Sequence, residues 1–129
     1  MLSIGKKWEH LFLFTQEDVK LFAQVTGDTN PIHLDEEYAS NSIFKKRVMH
    51  GALSNSIFSK VFGTITPGEG TIYLSQNSKF MSPMYVDVNY VAKFEVINAK
   101  ENGIITVKTE IYDVQTNKLT ITGEAVLKI

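Results

Sequence analysis

Apolar and polar residues change their spacing partway along this chain. In the first half, Val19, Phe22, Ala23 and Thr26 share one face at helical spacing, which predicts a helix over Gln16 to Thr26. Thr15 stands where a cap belongs, Asp18 completes a capping box, and Gly27 offers a left-handed stop. A second, short helix is predicted from near Asp35 through Ala39. A third starts near Gly51, where Leu53, Ile57 and Val61 recur every four residues and Ala52, Ser56 and Ser59 keep the remaining surface small. Lys60 is the single charge from Ala52 to Gly63, so this helix is expected to be mostly enclosed. Beyond Pro67-Gly68-Glu69-Gly70 the period falls to two. Leu119, Ile121, Gly123, Ala125, Leu127 and Ile129 alternate with Thr120, Thr122, Glu124 and Lys128, the mark of a half-buried strand. Similar runs cover Thr71 to Met81, Val86 to Val96 and Ile104 to Val114, with hairpin turns at Glu101-Asn102-Gly103 and Gln115-Thr116-Asn117. An early strand around Trp8 to Phe14 completes the set. One enclosed helix with a curled antiparallel sheet is an α+β arrangement.

Composition narrows the picture. At 129 residues and 14.5 kDa the chain has room for one core and no second domain of ordinary size. With 43% hydrophobic and 21% charged residues it reads as globular rather than disordered. No stretch approaches the roughly 18 to 20 apolar residues of a membrane span, and Met1 to Lys7 lack the pattern of an export signal. A cytoplasmic protein with no membrane partner is expected. The absence of cysteine removes disulfides and thiol nucleophiles together. A net charge of -1 gives no electrostatic reason to expect nucleic acid.

The chemistry concentrates in Phe22-Ala23-Gln24-Val25-Thr26-Gly27-Asp28-Thr29-Asn30-Pro31-Ile32-His33. A carboxylate, Asp28, and an imidazole, His33, flank an Asn and a Pro just after a helix stop. A rigid turn of this kind can hold an acid–base pair. Turn chemistry alone also explains Asp followed by Asn-Pro, and spacing does not separate the two readings.

The run Phe22 to Ala39, with its core Thr26-Gly27-Asp28-Thr29-Asn30-Pro31-Ile32-His33, resembles the hydratase 2 motif of (R)-specific enoyl-CoA hydratases and MaoC-like dehydratases. Val48-Met49-His50-Gly51, Gly70-Thr71-Ile72-Tyr73-Leu74-Ser75-Gln76 and Gly123-Glu124-Ala125-Val126 are similar to that family's helix entry, following strand and last strand. The resemblance implies that residues 1–129 form a single MaoC-like hot-dog domain, an antiparallel sheet wrapped around the helix from Gly51, paired into a homodimer or higher homo-oligomer. It implies hydration of trans-2-enoyl-CoA to (R)-3-hydroxyacyl-CoA, or the reverse dehydration, with coenzyme A (or acyl carrier protein) as substrate carrier and neither cofactor nor metal. Asp28 and His33 match its catalytic pair, and Gly51 the glycine whose N–H polarises the thioester carbonyl. Asn30 is implied as support for the turn, and Ser59 falls where relatives place a serine beside the pair.

Each carry-over has a plainer reading beside it. Gly51 also suits a helix-entry turn, and Ser59 close helix–sheet packing. Leu53, Ile57 and Phe58 either line an acyl tunnel or are ordinary core. His50 is better read as structural, its ring bonding nearby backbone, and His10 as irrelevant to the chemistry. Asp35-Glu36-Glu37 suits the first turn of a helix rather than a metal site. Lys45-Lys46-Arg47 reads as a solvated basic loop, with coenzyme A phosphates as the competing partner. Relatives often carry a proline before the Val-His-Gly segment where this chain has Lys46-Arg47. A thioester hydrolase and a noncatalytic acyl-thioester-binding subunit are the alternative functions, since one fold hosts several activities.

Overall fold

The computed structural model describes residues 2–129. The chain runs β1 (Lys7–Phe12), α1 (Gln16–Thr26), α2 (Pro31–Leu34), α3 (Glu36–Ser40), α4 (Gly51–Thr64), β2 (Ile72–Phe80), β3 (Tyr90–Ala99), β4 (Ile104–Asp113) and β5 (Leu119–Lys128). The strands form one antiparallel sheet in the order β1-β3-β4-β5-β2, with β1 and β2 at its edges. The predicted caps of α1 form. Thr15 Oγ1 accepts from Asp18 N at 3.2 Å, Thr15 N donates to Asp18 Oδ2 at 2.8 Å, and Gly27 closes the helix at φ +79°.

Helix α4 lies against the sheet through a stripe of Leu53, Ile57, Phe58, Val61 and Phe62. Opposite it stand Phe94 and Val96 of β3, Val107 and Ile111 of β4, and Ile121, Ala125 and Leu127 of β5. Phe58 and Phe62 meet Phe94 edge-on, at 5.8 and 5.3 Å between ring centroids, and Trp8 stacks on Phe94 at 5.3 Å. Each such ring contributes about 1.5–3 kcal/mol by burial alone.

Three expectations change. The third strand begins at Tyr90 rather than Val86, because Asp87 takes a left-handed φ of +61° and bonds back to the Phe14 carbonyl at 2.8 Å. The stretch before Asp35 is helical, since Pro31 occupies the first helical position with φ already set and Asn30 caps it. Enclosure of α4 is one-sided. The sheet covers one flank, while Ala52, Ser56, Ser59, Lys60, Gly63 and Thr64 face outward. The neighbouring edge strand β2, bulged at Leu74, also leaves Ile72, Leu74 and Phe80 more than half exposed.

Phe58 is 0% exposed and sits at the centre of this packing. Phe58→Ala is expected to lower unfolding free energy by about 3–5 kcal/mol, read from urea denaturation. A loss below about 1 kcal/mol would show that the ring is not a core anchor.

Candidate active site

The loop after α1 carries Asp28. Its backbone N–H donates to Thr26 Oγ1 at 3.2 Å, and its Oδ1 accepts the Asn30 N–H at 3.3 Å. Asn30 in turn accepts from Ile32 N at 3.1 Å and so caps α2, which carries His33. Asn30 therefore supports the turn between the two residues through backbone bonds. Gln16 Nε2 donates to the His33 carbonyl at 3.0 Å, tying that turn to the start of α1.

Hydrogen bonding fixes both imidazoles. His33 Nδ1 lies 2.7 Å from the Val48 carbonyl oxygen, which can only accept, so Nδ1 carries the proton and the neutral ring keeps its lone pair on Nε2. His50 Nε2 lies 3.0 Å from the Asp28 carbonyl oxygen, so the same argument puts its proton on Nε2 and leaves Nδ1 bare. The His50 ring is 2% exposed, and Nδ1 has no hydrogen-bond partner among the described residues. The two rings stack with centroids 3.9 Å apart, and Phe22 closes the far side of His50 at 4.8 Å. His50 bonds backbone, as expected from the sequence, and the backbone it bonds belongs to Asp28.

One donor atom each from Asp28, His33 and His50 falls within 4.8 Å of the others. These are ligand types a transition metal accepts, but the bonds from His33 and His50 to backbone carbonyls account for the arrangement without an ion.

His50 is also the residue preceding α4. Because its ring is turned to Asp28, it gives the helix no side-chain cap. The first-turn N–H groups, beginning at Gly51, are left for an external acceptor, and the helix dipole favours negative charge there. Gly51 has no room for a side chain: a Cβ would stand 2.9 Å from Cε1 of Phe80. An apolar cavity of about 490 Å³ opens beside it, walled by Phe44, Met49, Phe80, Met84 and Ile121. A larger cavity of about 710 Å³, between Pro67 and Ile129, holds none of the predicted site residues.

The structure thus brings Asp28, His33 and Asn30 together with the segment entering α4. It does not bring Ser59 to them. Ser59 lies eight residues along α4, about 12 Å from Gly51 by helical rise, on the outward face. Leu53, Ile57 and Phe58, at 7%, 3% and 0% exposure, belong to the core and line no part of the cavity beside Gly51, while Ile57 also borders a separate cavity beside β1 with Leu13, Ser56 and Lys60. Helical spacing reports which face is buried, not where a void remains. His10 sits on β1 with Lys60 Nζ 3.3 Å from its Nε2, and burial and that lysine lower its pKa. Asp35 caps α3, and Glu36 pairs with Arg47 at 2.9 Å. Phe80 and the Val48 carbonyl were not singled out from the sequence. Only adjacency to the motif and the end of a strand run pointed to them.

Comparison with known proteins gives concordant results. Residues 4–120 match the family described as MaoC like domain. An (R)-specific enoyl-CoA hydratase of Aeromonas caviae is 37% identical over 129 residues, covering 99% of this chain and 96% of the relative. A mitochondrial 3-hydroxyacyl-[acyl-carrier-protein] dehydratase of Arabidopsis thaliana is 30% identical over 128 residues, covering 97% and 76%. The solved (R)-hydratase from A. caviae involved in PHA biosynthesis superposes with a TM-score of 0.94 at 37% identity, covering 99% and 97%.

The two tautomers can be read directly. Nitrogen-15 NMR of the histidine side chains is expected to show His33 protonated on Nδ1 and His50 on Nε2. The opposite assignment at either ring would remove the bonds that define the site.

Proposed function

The chain belongs to the MaoC-like domain family of hot-dog hydratases and dehydratases, and from that premise we propose that it is a hydro-lyase interconverting trans-2-enoyl-CoA and (R)-3-hydroxyacyl-CoA. The observation that carries the reading is one arrangement. A carboxylate and an imidazole with a bare Nε2 stand beside a helix entry whose first N–H groups have no side-chain cap.

Hydration requires oxygen at the β-carbon, a proton at the α-carbon, and relief of the charge that gathers on the thioester oxygen in between. Asp28 and His33 hold one water between them. The pair takes a proton from that water as its oxygen attacks and returns a proton to the α-carbon on the same face, which makes the addition stereospecific. Positioned proton transfer of this kind is worth ~10²–10⁴-fold. The Gly51 N–H meets the developing oxyanion, a contribution of roughly 3 kcal/mol. The thioester approaches because no side chain stands at Gly51. Asn30 acts by holding the turn, and coenzyme A is the substrate's own carrier, so no cofactor enters the step.

A second part of the proposal concerns assembly. The outward face of α4 carries small residues with Lys60 as its only charge, and β2 presents an unpaired apolar edge beside it. A second copy of the chain covers both by antiparallel pairing of the two β2 strands, burying the face on which Ser59 lies.

Two measurements test these readings. Crotonyl-CoA is expected to lose its enoyl absorbance in the presence of the protein, giving the (R)-3-hydroxy product. Asp28→Asn and His33→Ala are expected to slow the reaction by at least ~10²-fold while remaining folded. Release of free coenzyme A thiol instead would move the enzyme to thioester hydrolysis, and silence with every thioester would favour the binding reading. Light scattering is expected to give about twice the 14.5 kDa chain mass. Leu74→Lys, which places a charge on the β2 edge, is expected to lower it toward the monomer. A monomeric wild type would overturn the pairing.

A further inference from the structure

One charged pair takes no part in the chemistry described above. Lys60 is the single charge on α4, and its Nζ lies 3.3 Å from Nε2 of His10 on β1. An ammonium can only donate, so the imidazole accepts on Nε2, stays neutral and carries its proton on Nδ1. Burial and the neighbouring lysine lower the His10 pKa, which favours that state. The residue opposite His10 on β3 is Ala92, so the charge acting on the ring comes from α4. Lys60 has no carboxylate partner among the described residues. Its charge is answered by a neutral ring, where an anion would bind it more strongly.

The pair borders a cavity of about 310 Å³ between β1 and α4. The rest of the wall is apolar, made by the run Leu11 to Phe14 and by Ile57, except for Ser56. The Ser56 hydroxyl donates to the Leu53 carbonyl at 2.6 Å and has no proton left to offer. A negative charge entering here is therefore met by Lys60 and His10 alone. The volume lies near the lower end of the roughly 300–1,000 Å³ usual for small-ligand sites, which suits a short chain. One fixed positive charge matches a monoanion better than a phosphate dianion. A carboxylate has two oxygens for the two bases. One accepts from Lys60, and the other accepts from His10 Nε2 once the ring has taken up a proton, which the anion's own charge favours.

The cavity opens on the free side of the sheet. Strand β1 pairs with β3 and is an edge, and β2 is the opposite edge. The two margins of the outward face of α4 point to these two edges: Asn55 Oδ1 accepts from Ser78 of β2 at 2.7 Å, and Lys60 meets His10 of β1. A second copy pairing through β2 approaches from the Asn55 margin and leaves the Lys60 margin open.

We propose that the cavity between β1 and α4 is a second ligand site, which takes a short aliphatic monocarboxylate with its head between Lys60 and His10 and its tail against Phe12, Phe14 and Ile57. The site is separate from Asp28 and His33, neither of which lines it, and it does not depend on the reaction assigned to them.

The test titrates the intact protein with hexanoate, with hexanol and with inorganic phosphate, following the ring resonances of its three histidines by NMR. Hexanoate is expected to shift His10 saturably and to raise its pKa, leaving His33 unmoved, while hexanol and phosphate bind at least about tenfold more weakly. Lys60→Met keeps the apolar stem and removes the charge. It is expected to weaken hexanoate by about tenfold, with Lys60→Arg restoring most of the loss and crotonyl-CoA turnover the same in all three proteins. Equal binding of hexanol would reduce the site to an apolar hollow, and equal binding of phosphate to a point of unspecific charge; either overturns the proposal. So does hexanoate affinity unchanged in Lys60→Met, or a hexanoate shift at His33 with none at His10, which would place the acid at the entry of α4.

Discussion

The hydrogen bond from His50 Nε2 to the Asp28 carbonyl, 3.0 Å long, joins the loop after α1 to the entry of α4. Two features of the site depend on it. It places Asp28 next to the ring on which His33 stacks, so the carboxylate and the imidazole are positioned by the same buried side chain. It also spends that side chain away from its own helix, which is why the first turn of α4 has no cap. A serine or aspartate before Gly51 would serve the helix better, by about 1 kcal/mol, and would occupy a first-turn N–H group. The local cost to the helix and its uncapped first-turn N–H groups have one cause.

The helix can bear an uncapped start because packing holds it. A buried phenylalanine is worth about 1.5–3 kcal/mol and a hydrogen bond net about 1. Phe58 and Phe62 against Phe94 therefore fix where α4 lies, while the His50 bond fixes only where the loop meets it. The direction of the Gly51 N–H is set by the core, and the loop carrying Asp28 and His33 is joined to it by a short run of polar contacts: Asn30 to Ile32, His33 to Val48, His50 to Asp28.

Local signals were readable in the sequence and long-range ones were not. Thr15, Asp18 and Gly27 act within a few residues of themselves, and all three behave as their types predict. The strands were placed to within a few residues because alternation is a local record of a sheet with one buried face. The start of β3 was missed because Asp87 φ depends on its bond to Phe14, far away in the chain. The juxtaposition of Asp28 with His33 was foreseeable through the motif, whereas the role of His50 in arranging both required knowing which carbonyl its ring meets. The four-residue period of Leu53, Ile57 and Val61 identified a buried face correctly. It carried no information on where that face bounds a void: Ile57 borders one cavity beside β1, and the cavity beside Gly51 is formed by residues scattered over the helix entry, β2 and the loop before β3.

The loop before α4 is restrained by a single side chain. The segment just before Val48 is Lys46-Arg47. Arg47 restrains the loop from outside, through the 2.9 Å ion pair to Glu36 of α3 and a longer contact to the Leu34 carbonyl at the end of α2. Both anchors lie just beyond His33, so the same contact couples the loop to the helical turn that presents the imidazole. The pair is 28% and 60% exposed, which puts its worth within about 0–1 kcal/mol and makes it sensitive to salt. Beside Arg47, Lys45 is exposed and Lys46 Nζ lies 4.2 Å from the centre of the Tyr85 ring. Arg47 thereby links the loop entering α4 to the short helices on either side of Asp35.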